Sequence, residues 1–308
     1  MTVQGSGAPA KTSETTRAPF AGFWREHQTP FYYIVLSLMV VMVAAEALLA
    51  VPLRFRGISQ IADCWPSVLL AVALAWYVRW RPLPRAIELS ELAIFAIILS
   101  KIMDILIQIA GRSPHPFADA QLAAIDHAAG FSTAFWVRLI ARCWWLRGGL
   151  FIAYNLLPIL VFSATLVPPF FRDATSSRRF VLGTTVASIL TAIMFWWWPA
   201  VGPWTMEGYP PIPEQSAIAA ILAHVRSPLP FTADMKGAGI VSLPSFHAVL
   251  ALMSAFALRK IRGLRVFAFT LCGLIVVSTI STGWHYGIDV VAAFAVAAVS
   301  IAAVSWID

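Results

Sequence analysis

The chain has 308 residues, of which 59% are hydrophobic and only 12% charged. A soluble domain carries roughly a quarter charged residues, so the composition excludes that class and fits an integral, polytopic membrane protein. The formal charge of +7 does not signal nucleic acid, because the basic residues cluster in short loops between apolar runs, as membrane topology requires.

Residues 1–30 read as a disordered cytoplasmic tail. The first 20 are rich in Ser, Thr, Ala, Gly and Pro and lack apolar periodicity. The apolar run from Phe31 begins too late and runs too long for a simple signal peptide, and is expected to remain as an anchor. Apolar runs near the ~20 residues that cross a bilayer predict spans at roughly 31–51, 65–80, 87–110, 148–169, 180–200, 243–258, 264–282 and 286–307. Residues 31–86 thus form N-terminal transmembrane helices, and 87–308 a second unit that carries the polar motifs.

Residues 115–147 lie between two spans and mix Trp136, Trp144 and Trp145 with Arg138, Arg142 and Arg147. Such a mixture suits an amphipathic helix at headgroup depth. Basic residues concentrate in the N-terminal tail, 79–86, 170–179 and 259–265, which places these segments and both termini inside. The segment 201–242 then forms an outer loop. Its prolines, including Pro203, Pro210, Pro211 and Pro213, argue against another crossing helix and suggest a lid or substrate-gathering loop.

The polar residues with chemical potential lie near the end of the chain. His247 follows Ser242-Leu243-Pro244-Ser245-Phe246, at the mouth of the sixth span. His285 lies in Ser278-Thr279-Ile280-Ser281-Thr282-Gly283-Trp284-His285-Tyr286-Gly287-Ile288-Asp289, at the mouth of the eighth. Both fall on the outer face in this topology. The four-residue spacing of His285 and Asp289 puts them on one helix face. A helix mouth offers unpaired N–H groups that favour phosphate, with Pro244 at an early helical position and Ser245 as a hydroxyl donor. Asp289 would fix the His285 tautomer and leave one nitrogen free to attack, while His247 could protonate a leaving oxygen. Either histidine alone reads more readily as a capping or interface residue, and it is the two together with Asp289 and Ser245 that point to a site. A metal site is a further reading, since His and Asp at this spacing can reach one ion, but no HExxH or cysteine ligand accompanies them. The three cysteines show no metal-type spacing.

The order Pro-Ser-x-His, an intervening helix, then Ser-x6-His-x3-Asp resembles the type-2 phosphatidic acid phosphatase superfamily. It is closest to the branch that includes inositol phosphorylceramide synthase and bacterial relatives, which has Ser-Thr where the phosphatases have Ser-Arg; here the pair is Ser278-Thr279. Further branch-like segments are Ile125–Phe131, Ala153–Pro158 and Pro199–Trp204, so the resemblance covers roughly 115–308. It implies an all-α fold, a six-helix phosphatase-type transmembrane core here preceded by about two additional N-terminal helices. It also implies His285 as nucleophile, Asp289 as its orienting partner, His247 as general acid, and Ser245 and Ser278 near the phosphate.

The phosphatase Lys-x6-Arg-Pro motif is absent, as is the arginine after Ser278. The cations needed to balance a phosphate must come from elsewhere, and Arg226, Lys236 and Arg138 are the outer-side candidates. The resulting expectation is a lipid phosphotransferase of the outer leaflet that works through phosphohistidine. It would need no metal or cofactor and would take a lipid phosphoester and a hydroxyl acceptor as partners, in a bacterial inner membrane. Lipid phosphate hydrolysis is the alternative, and a non-enzymatic lipid transporter or scaffold the second.

Overall fold

The computed structural model describes residues 84–227 and 239–305. The two N-terminal spans, Lys236 and the tail lie outside these residues. Among the described residues every regular element is helical. In chain order they are α1 (Pro84–Gly111), α2 (Asp119–Ala128), α3 (Thr133–Ala141), α4 (Trp144–Asn155), α5 (Leu157–Leu166), α6 (Ala174–Trp197), α7 (Pro213–Val225), α8 (Phe246–Leu258), α9 (Arg262–Ser281) and α10 (Gly287–Ala303). Short 3₁₀ turns occupy Pro168–Phe171 and Pro203–Thr205.

Three helices among the described residues are long and apolar enough to cross a bilayer: Trp144–Leu166 (α4 continued by α5), α6 and α9. Only about a third of the apolar stretches of Trp144–Leu166 and α9 is buried inside the protein, against 56% for α6. Phe151, Ile152, Ile159 and Phe162 on the first, and Val266, Phe267, Phe269 and Val277 on α9, point outward. Continuous exposed apolar faces of this kind need lipid, not water, around them. The protein is a helical polytopic membrane protein.

Helix α8 is the centre of the bundle and packs against α5, α6, α9 and α10. Its buried face is largely alanine (Ala248, Ala251, Ala255, Ala257) with Val249, Met253 and Leu258. Small residues allow close helix approach where no hydrophobic drive operates between helices in lipid. A turn at Arg259–Ile261 reverses the chain into α9. With 13 residues against 20, α8 ends about 10 Å short of its antiparallel neighbour at 1.5 Å per residue. The His247 end of α8 is therefore recessed within the bundle.

Three boundaries differ from the sequence reading. Trp144, Trp145 and Arg147 belong to the first turns of a spanning helix, not to the interfacial segment, because the apolar periodicity of 148–166 continues back through them. The segment expected to lie at the interface holds two short helices, α2 and α3, joined by a turn with Gly130 at φ 71°. Helix α8 begins at Phe246, with Ser245 as its N-cap accepting from the Ala248 N–H. Pro244 thus precedes the cap and lies outside the helix.

Candidate active site

His285 is 4% exposed and Asp289 fully buried. Their chain segment doubles back after α9: the N–H groups of Trp284 and His285 both donate to the Thr279 carbonyl, each at 3.2 Å. The imidazole is thereby turned inward. Its Nδ1 lies 3.0 Å from the Ser242 carbonyl oxygen and 3.4 Å from Asp289 Oδ2. A carbonyl oxygen can only accept, so Nδ1 carries the proton and Nε2 keeps its lone pair. Asp289 Oδ2 collects two further donors, the Ser242 hydroxyl at 2.8 Å and the Tyr286 N–H at 3.0 Å. The Ser245 N–H donates to the Asp289 backbone carbonyl at 3.0 Å. The two motifs are thus hydrogen-bonded to one another, His285 to Ser242 across 43 residues and Ser245 to Asp289.

His247, in the first turn of α8, stacks on Tyr154 of α4 with ring centroids 4.3 Å apart and planes 13° apart. The Tyr154 hydroxyl lies 3.4 Å from His247 Nδ1. His247 lies two residues after Ser245, whose N–H is bonded to the Asp289 carbonyl.

The other expected site residues are distributed less simply. Ser245 is fully buried and its oxygen is occupied as a cap. Ser278 is also fully buried, and its hydroxyl donates to the Ile275 carbonyl of its own helix at 2.6 Å. Arg138, on the exposed face of α3, donates to the Gly208 carbonyl at 3.2 Å. Arg226 donates to the His115 carbonyl and lies 4.3 Å over the Phe117 ring; its Nη1 is buried with no hydrogen bond among the described residues. Desolvation pushes the Arg226 guanidinium below its usual value.

Part of the outer loop is fastened to the His285 turn. The Tyr209 hydroxyl donates to the Gly283 carbonyl at 2.9 Å, and Gln215 Nε2 donates to the same carbonyl at 3.0 Å and to that of Thr282 at 3.3 Å. Gly283 has φ 77°, and a Cβ there would lie 2.8 Å from the Tyr209 hydroxyl, so glycine is required both by the backbone and by the space. Trp204 meets Trp284 edge to face at 5.7 Å. The segment 201–225 is therefore tied to the His285 turn through Tyr209 and Gln215.

Two carboxylates were missed as functional candidates. Asp119 and Asp126 face the same side of α2 and are 2% and 3% exposed. Asp119 accepts from the N–H groups of Val201 and Gly202 and from the Tyr286 hydroxyl. Asp126 accepts from the N–H groups of Gly287 and Ile288 at 2.6 and 2.8 Å. Desolvation raises both above the usual carboxylate range, opposed by these hydrogen bonds. Their seven-residue spacing in a helix with little other polarity was the available signal. Ser242 and Tyr154 carried none, because a backbone carbonyl and a ring stack have no sequence signature.

Among the described residues no group of three or more His, Cys, Asp or Glu side chains is arranged to hold a metal ion.

The fold and site define a helical membrane protein with a buried His–Asp pair tied to a second histidine-bearing helix. The family model of the PAP2 superfamily matches residues 120–303, and the chain belongs to that superfamily. Membership supports a phosphatase-type activity on a lipid phosphoester. No curated protein and no solved structure matches the chain.

Proposed function

We propose that the protein is a lipid phosphotransferase that works through a phosphohistidine on His285. The observation that carries this reading is the 3.0 Å contact between His285 Nδ1 and the Ser242 carbonyl, which leaves Nε2 as the nucleophilic nitrogen. Nε2 attacks phosphorus, the bond from phosphorus to the leaving oxygen breaks, and protonated His247 gives that oxygen its proton. An acceptor hydroxyl then attacks phosphorus. Its proton passes to His247, the N–P bond breaks, and the electron pair returns to Nε2. Asp289 stabilises the positive charge that develops on the imidazole. Arg226 and Arg138 are the described candidates for balancing the phosphate, Lys236 is a third candidate outside the described residues, and Ser245 and Ser278 stand at helix ends near the chemistry. No step calls for a metal, so chelators should leave turnover intact. The acceptor class resembles that of the inositol phosphorylceramide synthase-like branch through Ser278-Thr279.

Transfer is favoured over hydrolysis by the burial of His285 and the aromatic wall of Trp204, Tyr209 and Trp284, since a nucleophile screened from bulk water discriminates against it. If water reaches the intermediate, the same chemistry is that of a lipid phosphatase. The topology bias of the basic loops puts the site on the periplasmic or extracellular side of a bacterial inner membrane. The test is purified protein given a panel of lipid phosphoesters with and without a hydroxyl acceptor, the products being identified by mass spectrometry. Acceptor-dependent transfer supports the reading, and release of inorganic phosphate indicates hydrolysis. Turnover that survives both His285→Ala and His247→Ala removes the mechanism, and lipid movement without bond cleavage indicates a transporter.

A further inference from the structure

The N–H groups at the start of α10 are partly taken by side chains. Tyr286 N–H goes to Asp289 Oδ2, and Gly287 and Ile288 N–H go to the two oxygens of Asp126. The capping carboxylate therefore comes from a different helix, 161 residues earlier in the chain. An N-cap normally comes from the residue just before the helix, and here Tyr286 occupies that position.

The approach is built from both sides. Helix α2 ends in a left-handed turn at Gly130, with the Phe131 N–H bonded to the Asp126 carbonyl at 2.8 Å and the Gly130 N–H to the His127 carbonyl at 3.0 Å, the pattern of a Schellman motif. That turn drives the Phe131 ring against Gly287, where an added Cβ would lie 2.7 Å from the ring. Two residues on, the Thr133 hydroxyl donates to the His285 carbonyl at 3.4 Å. The α2–α3 hairpin thus grips the backbone on both sides of Tyr286, between His285 and Asp289.

The geometry points to Asp126 as a positioning residue for catalysis. It holds the first turn of α10 so that Asp289 and the His285 ring keep their alignment with the Ser242 carbonyl. This inference rests on the reading of His285 as nucleophile. A carboxylate accepts both N–H groups at once. An amide at the same position presents one acceptor and turns its NH₂ against the other N–H, so the turn must shift.

The test uses the full chain in detergent or nanodiscs, with Asp126→Asn, Asp126→Ser and His285→Ala compared per folded molecule. A misplacement of about an ångström at the reacting atoms costs on the order of 100-fold. We expect Asp126→Asn to lower kcat about 10- to 100-fold with KM nearly unchanged, and to slow formation of the acid-labile phosphoprotein equally. Asp126→Ser, whose oxygen falls one bond short of the carboxylate oxygens, reaches neither N–H and should lose at least as much. If either folded variant turns over at the wild-type rate and only its thermal stability has dropped, Asp126 is a structural cap and the inference is overturned. If His285→Ala retains turnover, the underlying reading falls and takes the inference with it. An inactive His285→Ala beside a fully active Asp126→Asn overturns the inference alone.

Discussion

Asp289→Asn separates the two partners of His285 Nδ1. In a triad where only a carboxylate orients the imidazole, the amide replacement costs about 10⁴ in kcat because the wrong tautomer is stabilised. Here the Ser242 carbonyl is the nearer acceptor, at 3.0 Å against 3.4 Å for Asp289 Oδ2, and it survives the substitution. The tautomer is held and only the charge is lost. A hydrogen bond to a charged group contributes about 1.5–3 kcal/mol and a neutral one about 0.5–1.5, so the difference is about 1–2 kcal/mol. At a factor of ten per ~1.4 kcal/mol, kcat should fall roughly 5- to 30-fold. A stability cost accompanies it. Oδ1 is buried and takes no hydrogen bond among the described residues, so an amide nitrogen there leaves donors unpaired, at about 1–3 kcal/mol. Steady-state turnover of a lipid phosphoester, normalised to folded protein by size-exclusion and thermal melting, reads both effects. A fall near 10⁴-fold in folded protein would show that the carbonyl does not hold the tautomer, and an unchanged kcat would show that Asp289 does not serve the reaction.

Ser242→Ala removes one of three donors on Asp289 Oδ2 and leaves the orienting carbonyl in place; kcat should fall by less than about tenfold, in line with one hydrogen bond. Tyr154→Phe keeps the stack on His247 and should stay within about twofold of wild type, whereas Tyr154→Ala loses a ring contact of about 0.5–1.5 kcal/mol and should lose roughly 2- to 12-fold in kcat. Gly287→Ala forces a Cβ into the Phe131 ring and should cost about 1–3 kcal/mol as overpacking, visible as a lowered melting temperature. Desolvation raises Asp126, against the pull of its two N–H donors, so it releases its proton at a higher pH in the folded chain than in the unfolded one. The stability of wild type relative to Asp126→Asn should therefore be greatest near and below pH ~4 and decline as pH rises through the elevated value. Melting curves of the pair across pH that keep a constant gap would contradict this.

Much of the architecture could be read from apolar run lengths, because a bilayer imposes a minimum length on any helix that crosses it. The expected spans at 180–200 and 264–282 correspond to α6 and α9 within a few residues. The short helices were harder. Nothing in the composition of 243–258 indicates that Ser245 takes the cap and pushes Pro244 outside, because Pro at the first helical position and Pro before the cap look alike. The two histidine motifs were visible through their spacing. Their mutual contact was not, because it runs through backbone atoms: the Ser242 carbonyl, the Ser245 N–H and the Asp289 carbonyl. The segment 201–242 was legible only in part, for a related reason. Its prolines indicate where a helix cannot continue, but the bonds that fix it come from Tyr209 and Gln215 to carbonyls of Thr282 and Gly283.

Those bonds bear on why a membrane enzyme would keep buried carboxylates at such a cost. Asp119, Asp126 and Asp289 are all nearly inaccessible, and Asp289 raises the cost of charging both of the others. An apolar packing of the same volume would be cheaper. What it could not supply is acceptors for the N–H groups of Val201, Gly202, Tyr286, Gly287 and Ile288, all in loop or first-turn backbone. Without partners, each such buried N–H costs about 1–3 kcal/mol, and lipid offers no water to compensate. Irregular backbone can exist beside a bilayer only where side chains satisfy it, and the His285 turn has to be irregular to fold back from the end of α9 toward the recessed mouth of α8. The carboxylates on α2 are thus what permits the turn that brings His285 to the Ser242 carbonyl. Loss of catalytic alignment should precede loss of the fold when they are neutralised one at a time.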